Sequence, residues 1–152
     1  MSQRKKIEVL IRRTDEPESK LKAELGRLSE DESKEAVQLT VHAGRRSGVN
    51  QVDRIAKALV QLSKPHWCLV LLIGRNVLES VPESVWELAN LEELRLNSNK
   101  LKTLSPAISI LTKLRRLWIE RNPFECFPEA VCQLEQLEEL STCDCQLSVL
   151  PS

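Results

Sequence analysis

Apolar residues return along the second half of the chain with a strict period of 23, in copies starting at Cys68, Leu91, Leu114 and Leu137. The phases recur together: Leu71, Leu94, Leu117 and Leu140; Ile73, Leu96, Ile119 and Thr142; Leu78, Leu101, Phe124 and Leu147; Val85, Ile108 and Val131. Within each copy a short run alternates. In LEELRLN, Leu94 and Leu96 point to one face of a strand while Glu93, Arg95 and Asn97 point to the other. Each copy therefore predicts one strand whose inward leucines make a core. Asn76, Asn99 and Asn122 follow the strands, and Cys145 takes that place in the last copy. A side-chain amide there can bond backbone groups that would otherwise be buried unpaired, whereas a thiol donates weakly, so the ladder is expected to loosen at Cys145.

The pattern LxxLxLxxNxLxxLPxxIxxL resembles the leucine-rich repeat, in its 23-residue form found in cytosolic Ras-suppressor-like and Scribble-like proteins. The resemblance covers residues 68–152. It implies an α/β fold: a right-handed solenoid with parallel strands on a concave face and loose or helical convex segments. It also implies that the concave face binds partner proteins. Two departures stand out. Ser105 replaces the proline found at Pro82, Pro128 and Pro151, so a local difference in the convex turn is expected; Cys68 fills a leucine slot in the core.

The first half is irregular. Ile7, Val9, Leu10 and Ile11 predict a strand, and residues 15–31 predict one helix, capped by Asp15, with Pro17 in its first turn and Leu21, Leu25 and Leu28 on one face. That helix either packs on the end of the solenoid or is a detachable, partner-binding amphipathic helix. Val37, Leu39 and Val41 alternate as a second strand. A loop around Gly44 and Gly48 leads to a second helix, with Asn50 as its N-cap, Asp53 in its first turn and Val52, Ile55, Ala56, Leu59 and Val60 on its inner face; Lys64 and Pro65 end it. Strand, helix and the first repeat strand form a βαβ unit, right-handed by default, that caps the solenoid. The chain thus divides into a charged N-terminal segment (1–35), an irregular capping repeat (36–67) and the repeats (68–152), the last incomplete.

Composition narrows the function. Lysines plus arginines number 22 and so do aspartates plus glutamates, so the overall balance asks for neither nucleic acid nor an anionic membrane. The longest apolar run, Trp67 to Ile73, is far short of a membrane span, and the N-terminal apolar run is too short for a signal peptide. Five cysteines, an odd count, fit a reducing compartment, and a cytoplasmic location is expected. The CxC pair Cys143 and Cys145 lacks a nearby histidine and makes no metal site; no cofactor is expected. Neither His42 nor His66 stands at a nucleophile's spacing, no glycine loop cradles a phosphate, and the recurring Glu92, Glu93, Glu138 and Glu139 read as a solvated face. The chain is read as non-catalytic.

The outward residues of the strands form columns: Val70, Glu93, Arg116, Glu139; Leu72, Arg95, Trp118, Ser141; Gly74, Asn97, Glu120, Cys143. Trp118, with Arg95, Arg116 and Arg121 around it, is expected at the centre of a partner-binding surface that includes Glu93, Asn97, Glu120 and Leu72, because exposed Trp and Arg dominate interface energetics. The competing reading has Trp118 stacked on arginine side chains, covering the sheet. Trp67 is expected to seal the cap and Trp86 to pack between turns. The module is expected to act as a scaffold or signalling adaptor. The alternative is the targeting or regulatory region of a larger enzyme, a ubiquitin ligase or kinase, that continues past Ser152. Self-association through an uncapped C-terminal strand edge is a third expectation.

Overall fold

Six strands lie side by side in the order in which the chain makes them, every neighbouring pair parallel. They are β1 (Lys5–Ile11), β2 (Val37–Ala43), β3 (Cys68–Leu72), β4 (Leu91–Arg95), β5 (Arg116–Trp118) and β6 (Glu139–Ser141). This computed structural model describes residues 4–145; Leu147 and Pro151 lie outside them. Three helices cross between strands: α1 (Pro17–Leu25), α2 (Glu30–Lys34) and α3 (Gly48–Leu62). From β3 onward the returns shorten to single 3₁₀ turns, Glu83–Glu87, Pro106–Ile110 and Glu129–Gln133, whose starts keep the 23-residue spacing.

Register explains the core. Val9, Val41, Leu71, Leu94, Leu117 and Leu140 align across the whole sheet. All but the last are buried; Leu140, on β6, is 37% exposed. Ile73, Leu96 and Ile119 make the next row inward, also buried. Each such side chain contributes on the order of 1.5–3 kcal/mol by leaving water. Between β3 and β4 the register slips, Leu69 facing Leu91 but Val70 facing Glu93, so Glu92 is the extra residue of a bulge.

The N-terminal strand continues the same sheet, and α1 packs against α3 with Pro17 and Leu21 buried. Here four expectations need correction. The helix expected over 15–31 is two helices. α1 stops at Gly26, and Ser29 opens α2 with a capping box: Glu32 N donates to Ser29 Oγ at 3.1 Å and Ser29 N to Glu32 Oε2 at 2.9 Å. Asp15 does not cap α1, because its Oδ2 already accepts from Arg12 N and from Lys20 Nζ, each at 2.7 Å. Asn50 is not the cap of α3, which starts at Gly48: Gly48 takes a left-handed φ of +76°, and Ser47 N is held by Asn76 Oδ1 at 2.7 Å. Val60 leaves the inner face, 41% exposed, because it falls about 80° past Val52 at 100° per residue. Buried Gln51 was not foreseen; its Nε2 donates to Arg12 O and Asp15 O at 3.0 and 2.9 Å, tying α3 to the β1–α1 turn.

The turn at Ser105 also departs from expectation, by not differing. Pro106–Ile110 forms the same five-residue 3₁₀ turn as its counterparts, and Ser105 Oγ accepts from Ala107 N at 3.2 Å, supplying a cap where the others have proline.

Among the left-handed residues described, one is β-branched. Val77 has φ 57° and is 50% exposed, although a β-branched residue resists the left-handed region. Val77→Asn is expected to raise stability by about 1 kcal/mol. Urea denaturation measures it; a lower midpoint in the variant would contradict the strain.

Candidate functional site

The face of the sheet turned away from the core carries two aligned rows. One runs Glu8, Thr40, Val70, Glu93, Arg116, Glu139; the next runs Leu10, His42, Leu72, Arg95, Trp118, Ser141. Alternation puts them there, and parallel pairing sets equivalent side chains about 4.8 Å apart.

At the centre lies a carboxylate under two guanidinium groups. Glu93 is only 6% exposed, although it points away from the leucine core. Its Oε1 accepts from Arg95 Nε at 2.8 Å, and its Oε2 from Arg116 Nε at 2.9 Å and Nη2 at 2.8 Å. A carboxylate so far from water needs such partners, since removing them leaves an uncompensated charge. Arg95 in turn lies over Trp118, its Cζ 4.4 Å from the ring centroid, a cation–π contact worth about 0.5–1 kcal/mol at a partly exposed site. Among the described residues both arginines keep N–H donors unspent, and both remain 40% or more exposed along the side chain. The result is a rigid cluster, aromatic on one side and cationic on the other.

The remaining expected residues surround this cluster unequally. Arg121 turns to Asp144, Nε to Oδ2 3.5 Å, so the structure brings Arg95 onto Trp118, holds Arg116 at Glu93 and directs Arg121 elsewhere. Glu120 accepts from Ser141 Oγ at 2.5 Å. Leu72 is half-buried beside Arg95. Asn97 sits against Gly74 so closely that a Cβ on that glycine would meet Asn97 Oδ1 at 2.6 Å. Further along the row, His42 Nε2 stands 4.0 Å from Glu8 Oε2. Of the other tryptophans, Trp67 is buried and donates Nε1 to Ser33 O at 3.3 Å, and Trp86 is buried with no partner for its Nε1 among the described residues.

Where the strands end, the asparagines form a continuous ladder. Asn99 Oδ1 accepts from Asn76 N and Leu78 N at 2.9 and 3.1 Å, and its Nδ2 donates to Ile73 O and Leu96 O at 3.1 and 2.8 Å. Asn122 repeats the arrangement toward Leu101 N, Leu96 O and Ile119 O. Cys145 makes fewer and weaker bonds, its Sγ donating to Ile119 O at 3.3 Å and taking the backbone N–H of Asn122. Beside the ladder, Arg75, Ser98, Arg121 and Asp144 all take left-handed φ values of 55–61°. Their residue types gave no warning of it, except for Asp144.

Among the described residues, no group of three or more His, Cys, Asp or Glu is placed to hold a metal, and no helix is long and apolar enough to cross a membrane. All five cysteines are free. Burial, and then the hydrogen bond and charge of Glu92, push the Cys68 thiol up to about 12. Alkylation at pH 8 followed by mass spectrometry is expected to modify exposed Cys126, Cys132 and Cys143 well before Cys68, because the thiolate is the reactive form. Early labelling of Cys68 would show that the strand opens.

Residues 89–152 match the family model for leucine-rich repeats, in two copies. No curated protein matches the chain. Among solved structures, the chain is similar to a leucine-rich-repeat protein of Leptospira interrogans, at 28% identity over 75% of this chain, with a TM-score of 0.60. It spans 27% of that protein's length. With a 23-residue period, one parallel strand per repeat and an asparagine ladder behind the strands, the second half of the chain is built as leucine-rich repeats.

Proposed function

We propose that the open face of the sheet binds a partner protein in the cytosol, in a non-catalytic scaffold or adaptor role, with the Trp118–Arg95–Glu93–Arg116 cluster at its centre. The observation that carries this reading is the buried carboxylate of Glu93, which fixes two arginines whose outer N–H groups are unpaired among the described residues. Prearranged donors lose little side-chain entropy on binding, and a half-exposed indole beside them offers apolar area. Leu72 extends that area toward β2, and Asn97 and Glu120 supply polar contacts at the rim. Arg121, bound to Asp144, contributes at the margin. The five free thiols support a reducing compartment.

Trp118→Ala is expected to weaken partner binding by about 2 kcal/mol, roughly thirtyfold, while leaving the circular dichroism spectrum unchanged. Affinity capture with wild type and variant side by side reads this. Equal capture by a folded variant would move the site off this face.

A further inference from the structure

Four arginines crowd the end of the sheet from which β1, β2 and β3 exit, and none has a carboxylate partner among the described residues. Parallel, in-register pairing brings them together. Ile11 lies beside Ala43, and His42 beside Leu72, so the residues after each strand emerge side by side: Arg13, then Arg45 and Arg46, then Arg75. Backbone bonds tie these exits, Gly44 N to Ile11 O at 2.8 Å and Arg46 N to Arg75 O at 3.2 Å. All four side chains are exposed.

Three carboxylates on the β1 side of the patch are already engaged. Lys20 and the Arg12 amide hold Asp15 below its ordinary pKa, Glu16 pairs with Arg54, and Glu8 faces His42. In a chain whose 22 cations balance 22 anions, this edge is thus a local excess of positive charge. Like charges held this close repel one another, and an anionic partner would relieve that repulsion.

The kind of anion follows from the residue type and the footprint. All four are arginines, whose planar fork matches a carboxylate in two parallel hydrogen bonds, whereas diffuse attraction would be served equally by lysine. Three adjacent strand exits span about 10 Å, the reach of roughly three residues of extended chain and too small for the many spaced phosphates of a duplex. Two exposed valines lie on the segments that carry the patch, Val49, 43% exposed, just after Arg46 and Val77, 50% exposed, just after Arg75, and the bond from Ser47 N to Asn76 Oδ1 ties those segments together.

We propose that this edge docks a short acidic segment of a partner protein, with its carboxylates on Arg13, Arg45, Arg46 and Arg75 and an apolar side chain against Val49 and Val77. The surface is separate from the Trp118 cluster and stands independently of it.

The test is fluorescence anisotropy with a labelled acidic peptide of glutamates around one central leucine, titrated with the full chain. Replacing all four arginines by glutamine is expected to weaken binding at least about tenfold, and replacing them by lysine several-fold; Trp118→Ala should bind as wild type. Added salt should weaken the wild-type complex. Should the quadruple glutamine variant melt early, Arg45→Gln with Arg46→Gln, on an exposed loop, carries the same comparison with a smaller loss. The proposal is overturned by undiminished binding in the glutamine or lysine variants, by loss of binding in Trp118→Ala, or by tighter binding of duplex DNA or phosphatidylserine vesicles than of the peptide.

Discussion

Asn99→Ala is expected to cost about 4 kcal/mol of stability, a large share of what a domain of this size possesses. The side chain makes four short bonds at once, to Asn76 N, Leu78 N, Ile73 O and Leu96 O, all inside the turn between two repeats. Asn99 itself is nearly buried, so water cannot replace what alanine removes. Each stranded donor or acceptor costs on the order of 1–3 kcal/mol, reduced by whatever the turn recovers through relaxation. Asn99→Cys should fall between the two, because Cys145 shows what a thiol does in this position: it reaches Ile119 O and the Asn122 amide, fewer and weaker bonds than the asparagine makes. Urea denaturation of the three proteins measures the series, and a loss under about 1 kcal/mol for the alanine variant would contradict the ladder's role.

The second large effect is in the core. Phe124 occupies the phase held by Leu78 and Leu101 in the preceding repeats and is fully buried. Phe124→Ala is expected to destabilise by about 3–5 kcal/mol through lost burial and the cavity left behind. Phe124→Leu, which restores the residue of the other repeats, should still cost about 1 kcal/mol, because its neighbours are packed around a ring. A leucine variant at least as stable as wild type would show that the repeat accommodates either residue without a fitted pocket. The same denaturation curves decide it.

Much of this fold was legible because the period is strict. Leu71, Leu94 and Leu117 recur at one phase and align in one buried row, so spacing alone located the strands and their inward faces. What escaped depended on distant groups or on signals that were passed over. The start of α3 is set by Asn76, 29 residues away, through its bond to Ser47 N, and nothing local to Asn50 announces that. The break between α1 and α2 was readable, since Ser29 and Glu32 stand at capping-box spacing; a continuous leucine stripe masked it.

The candidate site was legible in position and incomplete in its partnerships. Trp118 and Arg95 share a row by alternation, and the contact between them follows. The burial of Glu93 was not foreseen, because alternation gives the direction of a side chain and not what folds over it. Yet a signal for the ion pairs is present. Glu93 and Arg116, Arg115 and Glu138, and Arg121 and Asp144 are each 23 residues apart with opposite charge, which places them opposite one another in neighbouring repeats. Read that way, the sequence assigns Arg121 to Asp144 rather than to Trp118.

The most direct test of the open face as the binding surface is site-specific photo-cross-linking. A benzophenone amino acid replaces Leu72, half-buried on that face, or Ile110, 61% exposed on a 3₁₀ turn away from the strands. Irradiation in the source cells should yield a covalent adduct to a second protein from position 72 and none from position 110. An adduct from position 110 with none from position 72 would contradict the account.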